Sequence, residues 1–239
     1  MEAEKRAASM IRQAARDGAD IVCLPEHWLP GNLANLEDSL PAIVDEAKSS
    51  KITVIAGADF VSRKGKTTIE SVLIDEEGNE VGRQRKVHLF GKENKIATPG
   101  DRYVIFRIKG VKFGIAICHD LVYPEVARIF ALKGAELLFA PAMIVREGVS
   151  PWQLYVQTRS LENRIPIVSP TVTGAPRFTG GSLIADLREK RGIVHPKVIV
   201  APSKREQLLV AEIDVKQMAE HRRQRLRARR VETYSGLMN

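Results

Sequence analysis

The chain has 239 residues, 44% of them hydrophobic, which suffices for one large core. No apolar segment approaches the roughly 20 residues needed to cross a bilayer, the opening MEAEKRAASM has no apolar signal core, and two cysteines make no disulfide framework. These features point to a cytoplasmic protein with one domain over residues 1–239, and the net charge of +8 raises nucleic acid as a partner.

Much of that charge lies in HRRQRLRARR, residues 221–230. Aromatic residues are scarce around it, and no helix-turn-helix, finger or RNA-binding signature accompanies it. The run therefore reads as a solvated or subunit-facing helix, with neither nucleic acid nor membrane expected as partner.

Taken in chain order, Ala7, Met10, Ile11, Ala14 and Ala15 follow an amphipathic helical spacing that Gly18 ends. Residues 21–24 read as a buried strand stopped by Pro25. Leu36, Leu40, Ile43, Val44 and Ala47 repeat the helical spacing before a strand over 53–60. Strands over 68–75 and 80–87 flank the turn at 76–79, and a hairpin pairs 104–108 with 111–118. A helix over 124–133 leads to a strand over 136–140, and Pro151 opens a helix that runs to about Asn163. Strands are predicted over 165–169, 182–186, 197–200 and 208–213. No linker or repeat divides the sequence. Such alternation implies an α/β fold with too many strands for one modest sheet, hence two stacked sheets between helical layers.

Cys118 ends the apolar run Phe113-Gly-Ile-Ala-Ile-Cys and precedes the start of a helix. A thiol at a strand-to-helix corner lies at a sheet edge and faces free backbone N–H groups that favour the thiolate. Glu26 follows the strand at 21–24, Lys86 ends the strand at 80–87, and Glu93 lies in the loop beyond. Singly, such charges are usually just solvated, and such a cysteine is usually core packing. Together they meet the needs of carbon–nitrogen bond hydrolysis: a nucleophile, a base and a positive group for the oxyanion. In that scheme Glu26 takes the Cys118 proton and returns it to the leaving amine. Lys86 and the backbone N–H of His119 hold the oxyanion, and Glu93 holds Lys86.

The segments ADIVCLPE, RKVHLFGKE and GIAICHDLVYPE, in this order, resemble the nitrilase superfamily, the carbon–nitrogen hydrolases. PWQLYVQTRSLEN, FTGGSLIAD, AEID and RARRVETY extend the similarity over nearly the whole chain. The resemblance implies a nitrilase-like four-layer αββα sandwich. It also implies a catalytic set with Glu26 as base, Lys86 as oxyanion lysine, Glu93 as supporting glutamate and Cys118 as nucleophile. No metal or organic cofactor is implied. Members commonly pair, which suggests a homodimer or higher homo-oligomer and gives the Arg-rich C-terminal segment a role.

The context Cys-His-Asp-Leu-x-Tyr-Pro-Glu looks like the amidase and carbamoylase branch. It implies hydrolysis of a small amide or N-carbamoyl compound through a cysteine thioester, with release of ammonia. Nitrile-cleaving members more often show Cys-Trp-Glu, so nitrile hydrolysis is the second reading. A catalytically silent binding or assembly member is the third. His119, Met143, Arg177 and Phe178 are candidates for the substrate pocket, with Arg177 suited to a substrate carboxylate. Two features depart from the family pattern. The chain opens at its first helix, lacking the usual first strand, and Thr171 stands where many relatives carry Asn.

Other readings carry less. Neighbouring side chains diverge, so the contiguous Cys118, His119 and Asp120 form no catalytic relay. Cys23 and His27 lack further partners for a metal, and Cys23 reads as core packing. His88 and Glu125 are expected to be structural, one bracing the loop after Lys86 and the other the first turn of the helix after Cys118.

Overall fold

The computed structural model describes residues 2–31, 34–174, 176–202 and 205–238. Helix α1 (Glu2–Arg16) leads to strand β1 (Ile21–Cys23), and α2 (Leu36–Ser50) to β2 (Thr53–Ile55), β3 (Asp59–Arg63), β4 (Lys66–Ile74) and β5 (Glu80–Arg85). The hairpin β6 (Ile105–Ile108) and β7 (Val111–Ile115) precedes α3 (Pro124–Leu132), β8 (Leu137–Phe139), α4 (Val149–Asn163) and β9 (Ile167–Ser169). The short pair β10 (Thr173–Gly174) and β11 (Phe178–Thr179) is followed by β12 (Leu183–Lys190), β13 (Ile193–Val200) and α5 (Ala219–Arg227).

Two sheets result. One runs β1-β2-β4-β3 with β5 also on β4, and the other runs β13-β12-β9-β8-β7-β6. Parallel pairing of β1 with β2, and of β8 with β7 and β9, follows from the helices that cross between those strands.

Strand periodicity explains why the sheets stack. Because successive side chains point to opposite faces, Val54, Val72 and Ile74 pack with Ile11, Leu40 and Ile43 of the helices, while Ile55 and Leu73 point the other way. Those two meet Phe113, Ile115, Leu137 and Phe139 from the second sheet. On that sheet's far face, Leu138, Ile167 and Ala185 pack with Phe130, Trp152 and Val156 of α3 and α4. Three apolar interlayers separate four layers, helix–sheet–sheet–helix, as expected. Phe113 meets Phe139 edge-on at 5.3 Å between centroids, and full burial of each such side chain contributes roughly 1.5–3 kcal/mol.

The structure corrects several sequence expectations. The predicted strand over 53–60 is broken at Ala56, Gly57 and Ala58, with Gly57 at φ +70°. Residues 208–213 form no strand: Leu208 and Ile213 bury against the two inner cores, but the segment finds no ladder partner among the described residues. Cys118 lies beyond its strand, since β7 stops at Ile115 and a 3-10 turn begins at the cysteine. The Arg-rich segment is helical through α5, with Arg222 buried and donating to the Arg164 carbonyl. No helix among the described residues is long and apolar enough to cross a membrane.

Candidate active site

The loop carrying Glu26 is fastened to the break between β2 and β3. His27 donates its backbone N–H to Ala58 O at 2.8 Å, and Trp28 donates Nε1–H to Ala56 O at 2.9 Å. A Cβ on Gly57 would lie 2.1 Å from Pro25 O, so the close approach of these backbones requires glycine there. Glu26 is consequently fixed and buried, and its Oε2 accepts the Met143 N–H at 3.0 Å.

Lys86 follows β5 and is almost fully buried, its N–H donating to Ile69 O and its carbonyl accepting from Gly100. Its Nζ reaches Glu26 Oε1 at 2.7 Å and the Glu93 carboxylate at 2.8 Å. Glu93 lies on the 3-10 turn Gly91–Lys95, where its Oε2 accepts the Phe90 N–H at 2.7 Å. Burial opposes charge on both groups. For Lys86, the carboxylates and Cys118 outweigh it and raise the pKa above the ordinary lysine value. For Glu93, the hydrogen bond to His27 and the Lys86 charge prevail and hold the pKa at about 2.

Cys118 adopts φ +43°, a conformation uncommon outside glycine, and donates its N–H to Pro141 O at 2.9 Å. The turn after it is held from below by Asp120, whose buried carboxylate accepts N–H groups of Ile117, Val87 and His88. Arg159 of α4 donates to the carbonyls of Leu121 and Val122 at 3.1 and 2.6 Å. The thiol thereby faces Glu26, Lys86 and the Met143 amide, and burial together with the Glu26 charge pushes its pKa well up. It rests as a thiol beside a carboxylate able to take its proton. The His119 N–H has no acceptor among the described residues and remains available to an oxyanion.

Residues 4–223 match the family model of the carbon–nitrogen hydrolases. The chain belongs to the carbon–nitrogen hydrolase family. It is an enzyme of the nitrilase superfamily, a class that hydrolyses carbon–nitrogen bonds. It is 30% identical to the omega-amidase NIT2 of Mus musculus over 92% of this chain and 85% of that one. It is 29% identical to a nitrilase of Pyrococcus abyssi over 88% of this chain and 82% of the relative. The crystal structure of a carbon–nitrogen hydrolase from Helicobacter pylori superposes with a TM-score of 0.84 at 25% identity, covering 98% of this chain and 92% of that one.

In this hydrolase Glu26, Lys86 and Glu93 come together beside the Cys118 thiol. The substrate-pocket candidates divide. His119 lies beside the nucleophile, its Nε2 3.2 Å from Tyr123 Oη and its ring 4.9 Å from Phe90. Met143 contributes its backbone N–H to Glu26. Arg177 is exposed at the β10–β11 turn, its guanidinium 5.4 Å from the Phe178 ring. Thr171 donates its N–H to Ser182 Oγ at 2.9 Å.

Sequence reasoning passed over three polar side chains around the site. Asp120 was weighed only as a relay and is instead a backbone anchor. His27 was weighed only as a metal ligand, and Asp59 went unnoticed. His27 Nδ1 is 3.0 Å from Asp59 Oδ1, and its Nε2 is 3.6 Å from Glu93. A buried acid and a histidine next to a catalytic carboxylate were the available signal. Ligand-type atoms of Glu26, His27 and Glu93 lie within 4.8 Å of one another, the chemistry of a cation site. The Lys86 ammonium already bridges the two carboxylates. A cavity of about 790 Å³ opens elsewhere, between α1, the outer edge of β1 and residues 205–215; Ile21, Cys23, Leu208 and Ile213 line it, and Glu26, Lys86, Glu93 and Cys118 do not.

Proposed function

We propose that this hydrolase cleaves a small amide or N-carbamoyl compound through a thioester on Cys118, releasing ammonia. The observation that carries the reading is the Lys86 ammonium held between Glu26 and Glu93, 2.7 and 2.8 Å away, and facing the Cys118 thiol. Glu26 takes the thiol proton as sulfur attacks the carbonyl carbon. The oxyanion forms against Lys86 Nζ and the His119 N–H, groups fixed before reaction and therefore stabilising without reorganisation. Collapse breaks the carbon–nitrogen bond, and Glu26 returns its proton to the nitrogen, which leaves as ammonia. Glu26 then deprotonates a water that attacks the thioester. The acid departs, and the proton held by Glu26 goes back to sulfur.

The similarity to an omega-amidase favours an amide. The similarity to a nitrilase keeps nitrile hydrolysis as the second reading. His119, Phe178 and Arg177 are the proposed substrate contacts, and a homodimer using the Arg-rich C-terminal region is the proposed assembly. Ammonia release from a panel of amides, N-carbamoyl amino acids and nitriles, run beside Cys118→Ala, tests the reading. Turnover that vanishes in the variant, with an acyl adduct mass on Cys118, supports it. A folded protein that is silent on the whole panel points to a binding member instead.

A further inference from the structure

We infer that His27, gripped by Asp59, is a positioning residue that fixes the Glu93 carboxylate and, through it, the Lys86 ammonium. The inference rests on the role proposed above for Lys86, and it assigns work to two residues that the reaction scheme does not use.

His27 is held in a conformation it does not favour. Its φ is +50°, a left-handed conformation strained for a side chain with a Cβ. The surroundings impose it: the backbone N–H is tied to Ala58 O, and the ring lies between Asp59 at 3.0 Å and Glu93 at 3.6 Å. The Phe60 ring covers it at 5.1 Å. The strained turn points the imidazole at Glu93 while the preceding residue, Glu26, points at Lys86.

Charge explains what the imidazole supplies. Glu26, Glu93 and Asp59 are three carboxylates in one half-buried region, and Lys86 alone does not balance them. Asp59 is 2% exposed. Its Oδ1 accepts the Phe60 N–H and meets His27, while its Oδ2 has no hydrogen-bond partner among the described residues. A buried carboxylate so placed demands a cation, and the ring against it is His27. The groups facing that ring are Asp59, Glu93 and Glu26, with Lys86 behind the two glutamates. Burial disfavours the imidazolium, but the hydrogen bonds to Asp59 and Glu93 and the Glu26 charge outweigh it, raising the pKa to about 10. His27 thus stays charged near neutrality and keeps Glu93 ionised and oriented. With Glu26 and Glu93 taking two of its protons, Lys86 aims the third at the oxyanion.

The test compares His27→Gln, Asp59→Asn and the double variant with the wild-type protein, folding being checked by circular dichroism. On a hydrolysed amide, each single variant is expected to lower kcat roughly 10- to 100-fold with little change in KM. In His27→Gln the acid limb should move to higher pH, and the double variant should be no worse than the more affected single one. A readout that needs no substrate is the pH profile of Cys118 alkylation by iodoacetamide, resolved from Cys23 by peptide mass. Loss of the cation should displace it to higher pH in His27→Gln, whereas Asp59→Asn, which removes a negative charge, should not. Superimposable alkylation profiles for His27→Gln and the wild-type protein, or single effects that multiply in the double variant, overturn the inference. Displaced profiles in a protein that hydrolyses nothing would sink the proposed function and leave the positioning role standing. Should His27→Gln not fold, Asp59→Asn tests the grip on the ring without a change of size, through a kcat loss at little-changed KM, and full turnover in it overturns the inference.

Discussion

The carboxylate of Asp120 accepts the backbone N–H of His88 at 2.8 Å and lies 3.0 Å from that residue's ring Nδ1. This contact joins the turn that presents Cys118 to the chain that presents Lys86. Val87 and Ile117 donate to the same carboxylate at 3.2 Å each. Lys86 immediately precedes Val87 and His88, and Cys118 lies between Ile117 and Asp120, so the relative placement of ammonium and sulfur depends on one buried acid.

Replacing Asp120 with Ala leaves three backbone donors and the His88 ring without their acceptor. Hydrogen bonds to a charged group contribute about 1.5–3 kcal/mol each, and orphaned buried donors add a penalty. A loss of roughly 3 kcal/mol or more is expected, read from the urea midpoint. Asp120→Asn, which keeps one oxygen, should fall between the two, with turnover reduced in the same order. An unchanged midpoint in Asp120→Ala would show that the anchor is dispensable.

Lys86→Met is expected to lower kcat by about 10²–10³, the usual effect of removing one oxyanion donor, with a smaller effect on KM. Because its carboxylate neighbours and Cys118 keep Lys86 protonated above the ordinary lysine range, the alkaline limb of the wild-type profile should not arise from its deprotonation. Steady-state kinetics across pH check both points. Equal losses in kcat and in ground-state binding would place the ammonium in substrate binding instead.

Glu26 and Cys118 were legible because each directly follows an apolar run, whereas Lys86 ends a polar strand and Glu93 lies in a loop, and these two stand out only through the resemblance of RKVHLFGKE to the family. The two stacked sheets were legible from strand number. What escaped depends on partners distant in sequence. Residues 208–213 carry apolar side chains that suit a strand, yet a strand exists only where a neighbour completes its ladder. The 53–60 run has no charged residue before Asp59, so its pattern did not reveal the break that Gly57 permits. The sequence excludes Asp120 from a relay but gives it no other role, because its partners Val87 and His88 are remote along the chain.

Gly57 separates a steric requirement from a conformational one. A Cβ at Gly57 would sit 2.1 Å from Pro25 O and 2.8 Å from Trp28 Cδ1, whereas at Gly192, with φ +77°, nothing lies within 4 Å. Gly192→Ala should cost only the left-handed backbone penalty, about 1–2 kcal/mol. Gly57→Ala should add a roughly 1–3 kcal/mol overpacking cost and, by pushing the Glu26 loop away from Lys86, reduce turnover as well. Thermal melts and kinetics on both variants make the comparison. Equal stability losses with full activity would mean that the loop relaxes freely.

Stability should have a plateau in pH bounded by the same pair of residues. Glu93 has a folded pKa of about 2 against an ordinary 4.5. Its contribution is therefore fully present above pH 4.5 and disappears as pH falls through 2. His27 has the opposite sign, about 10 when folded against an ordinary 6.5. Its contribution is complete below pH 6.5 and is lost as pH rises through 10. Maximum stability from this pair thus lies between about pH 4.5 and 6.5, with a decline already under way at pH 8. The cysteine thiols begin to contribute only above their ordinary 9.0, so the window from 6.5 to 8.5 isolates the histidine. Urea midpoints measured there should fall steadily in the wild-type protein and flatten in His27→Gln, and identical slopes would remove His27 as their source.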